Sequence, residues 1–139
     1  MHTYGTALAL ADVTIPGHLD AQAEVPVLTG PQAQGDLLVI PVDRLPVGVT
    51  AEAVPDSGVQ VVVGEATGHT HWLHRGFDSP GVGWARVDRD LIIGYVVVPE
   101  GKSAMLIHTD EHGANGIGSG VYAVHGKREM AAEIRRVAD

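Results

Sequence analysis

The chain contains no cysteine, which excludes disulfide bonds, thiolate zinc sites, iron–sulfur clusters and cysteine nucleophiles. Aromatic residues make up only 4% of the sequence and hydrophobic residues 45%, so the core must consist mainly of Val, Ala, Leu and Ile. Only 9 basic residues stand against 17 acidic ones, and the formal net charge is −8. Because the scattered basic residues form no stripe for a phosphate backbone, we expect no nucleic-acid partner.

Long hydrophobic runs and a cationic N-terminal leader are also missing. No apolar run approaches the ~18 residues that a membrane span needs, and Asp12 interrupts the first apolar stretch. We therefore expect a cytoplasmic protein without a membrane partner. With 139 residues the chain has the size of a single domain, so residues 1–139 are predicted to share one core.

The sequence consists mainly of short segments that are rich in β-branched residues. The 18 glycines and 8 prolines favour many short elements joined tightly. Strands are predicted at residues 36–42, 59–63, 84–87, 91–98, 103–108 and 121–125. This pattern predicts an all-β, mainly antiparallel fold, either a small β-barrel or a sandwich. Residues 1–33 are expected to form an irregular arm with one short strand, residues 34–126 the core, and residues 127–139 a tail with at most one short C-terminal helix.

Two glycine-containing segments separate the later strands. Residues 99–102 have the pattern of a β-turn, with Pro leading and Gly101 at the left-handed position. Residues 113–120 contain four glycines and are expected to form a loop, as a hairpin or a mobile lid. A phosphate-binding loop is disfavoured, because a strand and not a helix N-terminus follows.

Histidines form the main candidate site. Five of the 8 histidines fall in two short windows: His69, His71, His74, His108 and His112. In an extended segment His69 and His71 project from the same face, as do His108 and His112, while His74 is out of phase with His71. If the two segments are neighbouring strands, four imidazoles converge. We therefore predict a metal site formed by His69, His71, His108 and His112.

Imidazole ligands without thiolate suit one divalent metal ion, with zinc as the first choice and Fe, Mn, Ni or Co as alternatives. Glu65 and Glu111 are the candidate general acid–base residues beside such an ion. The predicted function is a metal-binding β-barrel protein, either a small metalloenzyme acting on a small-molecule substrate by hydrolase, lyase or oxygen chemistry, or a non-catalytic module stapled by the metal. A metal-free β-domain with ligand- or proton-binding histidines, and a homo-oligomer, are further alternatives.

The histidine pattern resembles two groups of proteins. The H-x-H strand and the later His108 are similar in part to cupins, small metal-binding β-barrels, although Arg75 stands where their glutamate is expected. A wider resemblance, over most of residues 34–139, is to small bacterial and phage proteins without an assigned reaction. It is carried by Gly35-Asp36, Gly64-Glu65-x-Thr67-Gly68-His69-x-His71, His108-x-x-Glu111-His112 and Gly120-x-Tyr122 before Arg128-Glu129. This resemblance implies that these polar residues belong together.

Overall fold

The architecture is a sandwich of two β-sheets. A computed structural model describes residues 3–10, 25–62, 71–75, 79–108 and 113–126. Within these ranges the strands form two separate sheets and no closed barrel, with antiparallel pairing at every strand contact except one. The all-β, mainly antiparallel prediction is thus confirmed, and of the two expected architectures the structure has the sandwich. The expected C-terminal helix lies outside the described residues.

Each sheet has a defined strand order. Sheet I has the order β1-β10-β9-β6-β5, and its strands are β1 (Val27–Leu28), β10 (Gly113–Ile117), β9 (Ala104–His108), β6 (His71–His74) and β5 (Val59–Val62). Sheet II has the order β2-β3-β11-β8-β7-β4, and its strands are β2 (Gln32–Gln34), β3 (Leu37–Val42), β11 (Gly120–Gly126), β8 (Ile92–Val98), β7 (Gly83–Arg89) and β4 (Glu52–Ala53).

The main core lies between the two sheets. Alternate side chains of each strand point inward and meet those of the opposing sheet, as expected for strands with one buried face. Sheet I contributes Val61, Leu73, Ala104, Leu106 and Ile117, and sheet II contributes Leu37, Val39, Val96, Val98, Tyr122 and Val124. These side chains are almost fully buried. The aliphatic core inferred from composition is confirmed.

The turn between β8 and β9 also follows the sequence pattern. The Lys102 amide donates to the Pro99 carbonyl at 3.1 Å, and Gly101 has a φ of +76°. Glycine adopts this left-handed conformation without the steric cost of a Cβ atom. The predicted β-turn is therefore confirmed at both its hydrogen bond and its glycine.

Residues 3–10 and 25–34 contain one short helix and two short strands, where an irregular arm with one short strand was expected. Helix α1 spans Tyr4–Leu10, and Thr3 caps it, because the Thr6 amide donates to Thr3 Oγ1 at 3.2 Å and the Thr3 amide to Thr6 Oγ1 at 2.9 Å. Ala7 is buried in a second apolar cluster with Val25, Met105 and Ile107. Tertiary packing on the outer face of sheet I explains a helix too short to be stable alone.

The glycine-rich segment 113–120 is also more regular than predicted. The expectation of a loop was wrong for most of it, because Gly113–Ile117 forms strand β10 between β1 and β9. A Cβ atom at Gly116 would lie 2.5 Å from the Pro26 carbonyl oxygen. The glycine permits the close approach of the chain before β1, which is why a strand with little β-propensity forms here.

Arg86 lies on β7 of sheet II and connects the two sheets. Its side chain reaches β5, the last described strand of sheet I. Its Nη2 atom donates to the carbonyl oxygens of Gln60 at 2.6 Å and Val61 at 3.0 Å. The pairing of β5 with β6 shifts register between Gln60 and Val62. Such a bulge turns consecutive carbonyls toward the same side, and one guanidinium can then serve both.

In the part of the chain described, no helix is long and apolar enough to cross a membrane.

Candidate functional site

Two of the predicted metal ligands lie side by side in the sandwich. His71 begins strand β6 and His108 ends strand β9, and the two are register partners across the antiparallel pair. The structure therefore brings together one histidine from each of the two sequence windows. The other predicted residues, Glu65, His69, Glu111 and His112, lie outside the described residues.

The two imidazole rings form a parallel stack inside the protein. Their centroids are 4.1 Å apart and their planes differ by 6°. His71 is 1% and His108 0% exposed. Both rings point toward sheet II, because they lie on the same face as Leu73 and Leu106 of the main core.

The turn between β2 and β3 covers this pair from the opposing sheet. Gly35 has a φ of +54°, and a Cβ atom placed on it would lie 3.2 Å from His108 Cε1 and 3.3 Å from His71 Cε1. Both the backbone conformation and the close approach of the two rings therefore favour glycine at this position. Asp36 follows in the same turn, so the Gly35-Asp36 pair of the sequence pattern lies at the histidines.

Gln34 holds His71 from the same hairpin. Gln34 Oε1 lies 3.0 Å from His71 Nδ1, and Gln34 Nε2 donates to the Leu106 carbonyl at 2.7 Å and to Asn115 Oδ1 at 2.8 Å. The Gln34 side chain is only 6% exposed. Sequence reasoning missed Gln34 and Asn115. The available signal was the position of Gln34, a polar residue directly before the Gly35-Asp36 turn and the apolar strand β3.

His74 lies on the opposite face of the same strand, as its phase in the sequence predicts. It is 1% exposed, and its Nε2 atom has no hydrogen-bond partner within the described ranges. Burial lowers the pKa of His74 below its ordinary value of 6.5. The ring rests against Gly58, where a Cβ atom would approach it to 2.7 Å. The structure therefore separates His74 from the His71–His108 pair.

The pair alone does not make a complete metal centre. Within residues 3–10, 25–62, 71–75, 79–108 and 113–126, no group of three or more His, Asp or Glu side chains could hold a metal ion. A first-row divalent ion usually takes four or more ligands. The described part of the site thus contributes two imidazoles, and a metal would need further ligands from elsewhere.

Comparison with known proteins gives a family and no function. Residues 33–127 match the model of a family described as a domain of unknown function, DUF8820. No curated protein and no solved structure matches the chain. The matched region begins beside Gln34 and includes both histidine windows. Because the match covers most of the sequence, the chain belongs to this family, and the predicted resemblance to an uncharacterised family is confirmed.

Proposed function

We propose that this member of the DUF8820 family binds one divalent metal ion at the His71–His108 pair. The observation that carries the proposal is the side-by-side position of two buried imidazoles from the two histidine windows. Neutral imidazole is the commonest protein ligand for transition metals. Zinc is the first choice of ion, with Fe, Mn, Ni and Co as alternatives that imidazole and carboxylate ligands also accept.

Chain connectivity supports His69 and His112 as the further ligands. His112 directly precedes Gly113, and Gly113 is the register partner of His108 on strand β10. His69 precedes His71 by two residues. Since consecutive Cα atoms are about 3.8 Å apart, neither histidine is far along the chain from the pair.

The catalytic form of the proposal assigns a role to two glutamates. Glu65 and Glu111 belong to the same two windows, and a carboxylate beside a bound metal is suited to general acid–base work. The reaction would then be hydrolysis, elimination or oxygen chemistry on a small molecule. In this form the ion keeps an open coordination position for that molecule.

A second candidate is a non-catalytic site in which the metal staples the fold. The near-complete burial of His71 and His108 favours it, because structural metal sites are closed to solvent. The pair also lies where sheets I and II meet, with Gln34 reaching across from the opposing sheet. An ion at this position would tie strands β6 and β9 together and add its binding free energy to the stability of the native state.

Metal stoichiometry tests the proposal. The purified chain is stripped with chelator, reloaded with Zn²⁺ and measured by elemental analysis and calorimetry. We expect about one equivalent per chain, with occupancy lost in His71→Ala and His108→Ala. His74→Ala is the matched control, since it removes a buried histidine from the same strand on the other face, and it should retain the metal. No binding by the wild-type chain, or equal binding by all variants, would refute the proposal.

Substitution of the metal by Co²⁺ distinguishes the catalytic form of the proposal from the structural one. A closed Co²⁺ site should keep its visible spectrum when azide is added, whereas an open site should change it. The melting temperature provides a second measurement. Chelator at pH 7.5 should lower the melting temperature strongly if the metal staples the two strands, and little if the site is open and peripheral to folding.

A further inference from the structure

The orientation of the Gln34 amide follows from its partners. One end of the amide lies 2.7 Å from the Leu106 carbonyl oxygen, which can only accept a hydrogen bond. That end must therefore be the NH₂ group, and the oxygen must face His71. A reversed amide would place two oxygens against each other in a buried site, at the cost of an unsatisfied acceptor on both sides.

A chain of amides supports the same direction. Asn115 accepts from Gln34 at Oδ1, and its Nδ2 atom donates to the Ala33 carbonyl at 3.2 Å and to Gln32 Oε1 at 3.3 Å. Gln32 Nε2 in turn donates to the Gly116 carbonyl at 2.9 Å. Each amide has a backbone carbonyl as one acceptor, so no member of the chain can be reversed without losing a bond.

The consequence is a defined tautomer of His71. Gln34 Oε1 is an acceptor, so the ring nitrogen 3.0 Å away, Nδ1, must carry the proton. In the neutral ring the lone pair is then on Nε2. Metal-binding histidines commonly donate their second N–H to a fixed acceptor, which orients the ring and sets the nitrogen that binds the ion.

We propose that Gln34 is the positioning residue of this site, which fixes the Nδ1–H tautomer of His71 so that Nε2 binds the ion. The inference rests on the proposed function for its metal, but the tautomer itself is a property of the metal-free protein. An amide acceptor, unlike a carboxylate, leaves the net charge of the site unchanged. The polar chain thus connects the Gly116 carbonyl on β10 with His71 Nδ1.

Nitrogen-15 NMR of the metal-free protein tests the tautomer directly. Histidine-labelled protein at pH 8 is observed in long-range proton–nitrogen spectra, and the His71 signals are assigned by their loss in His71→Gln. We expect a protonated Nδ1 and an unprotonated Nε2 in the wild type. In Gln34→Met the Nδ1–H tautomer should lose its dominance. A wild-type His71 protonated at Nε2 would overturn the inference without any variant.

Zinc titration of the same proteins tests the consequence for binding. We expect Gln34→Met to weaken Zn²⁺ binding by about 10- to 100-fold, the usual effect of removing the partner of a ligating histidine. Gln60→Met is the control, because it makes the same change at an exposed position of β5 that is outside the amide chain. It should bind Zn²⁺ within about threefold of the wild type, which is well below the loss of about 10- to 100-fold expected for Gln34→Met.

The two kinds of failure are distinguishable. If the wild-type chain binds no Zn²⁺ while its His71 has the expected tautomer, the metal function fails and the positioning of His71 by Gln34 stands. If the wild-type chain binds Zn²⁺ and Gln34→Met keeps both the affinity and the tautomer, the metal function stands and the role of Gln34 is refuted. Circular dichroism verifies that each variant is folded.

Discussion

Strand β6 carries two buried histidines on opposite faces of sheet I, and their surroundings differ. His71 points into the sandwich, where Gln34 from the other sheet faces its Nδ1 atom and His108 stacks on its ring. His74 points to the outer face, where its ring rests on Gly58 and, in the part of the chain described, Nε2 finds no partner. Each is 1% exposed.

The difference shows that two equally buried histidines of one strand can be held in different ways. His74 is explained as a packed side chain whose neutral form is favoured by an apolar environment. His71 is held by a directed hydrogen bond from a different sheet, so its orientation is specified as well as its burial. A buried ring with a fixed acceptor on one nitrogen is the arrangement that binding requires.

The largest expected effect comes from changing Gly58, against which the His74 ring packs. Gly58→Ala should lower the free energy of unfolding by about 4 kcal/mol, from backbone strain and overpacking together. Gly58 has a φ of +80°, and its Cβ would press on the His74 ring. Gly101→Ala is the control, because Gly101 has a φ of +76° with open space around it. It should lose only about 1 kcal/mol in urea denaturation; equal losses would show that the His74 ring yields easily.

An intermediate effect is expected from replacing each histidine by leucine. In metal-free protein, His71→Leu should lower the free energy of unfolding by about 2 kcal/mol, because it leaves Gln34 Oε1 as a buried acceptor without a donor. His74→Leu should change it by less than about 1 kcal/mol, since His74 Nε2 has no hydrogen-bond partner among the described residues that the change would remove. Urea denaturation at pH 7.5 measures both. A larger loss in His74→Leu would reverse the comparison.

The smallest expected effect is the contribution of His74 to the pH dependence of stability. Its folded-state pKa is lowered below 6.5 by burial, so the unfolded chain binds more protons as the pH falls through 6.5. Stability from the neutral ring is therefore complete above about pH 6.5 and is lost below it. His74→Leu should fall less in stability than the wild type between pH 7.5 and 5.5, both in the presence of chelator. Parallel curves would mean that His74 does not titrate differently on folding.

Much of the fold could be predicted from local sequence patterns. β-branched segments predicted strands β3, β5, β7, β8, β9 and β11, and Pro99 with Gly101 predicted a turn, because these signals depend on neighbouring residues alone. Helix α1 and strand β10 could not be predicted in this way. Both depend on packing partners far along the chain, Ala7 on Met105 and Ile107, and Gly116 on Pro26.

The candidate site was predicted only in part, for the same reason. Clustering in the sequence was enough to identify His71 and His108, and the structure shows that they are register partners. Gln34 lies in the short strand β2 and has no histidine near it in the sequence. Its role depends on the pairing of β2 with β3 and on the packing of the two sheets, which determine that its amide reaches Leu106, Asn115 and His71.

Arg86 has a consequence for how copies of this chain meet. The last strand of a sheet offers unpaired carbonyl and amide groups, to which a strand of another molecule can add and so start aggregation. At β5 the guanidinium of Arg86 already occupies the carbonyls of Gln60 and Val61. An incoming strand would have to displace a charged donor from both. A single side chain of the opposite sheet thus occupies two backbone acceptors of this strand, which leaves fewer groups for an added strand to pair with.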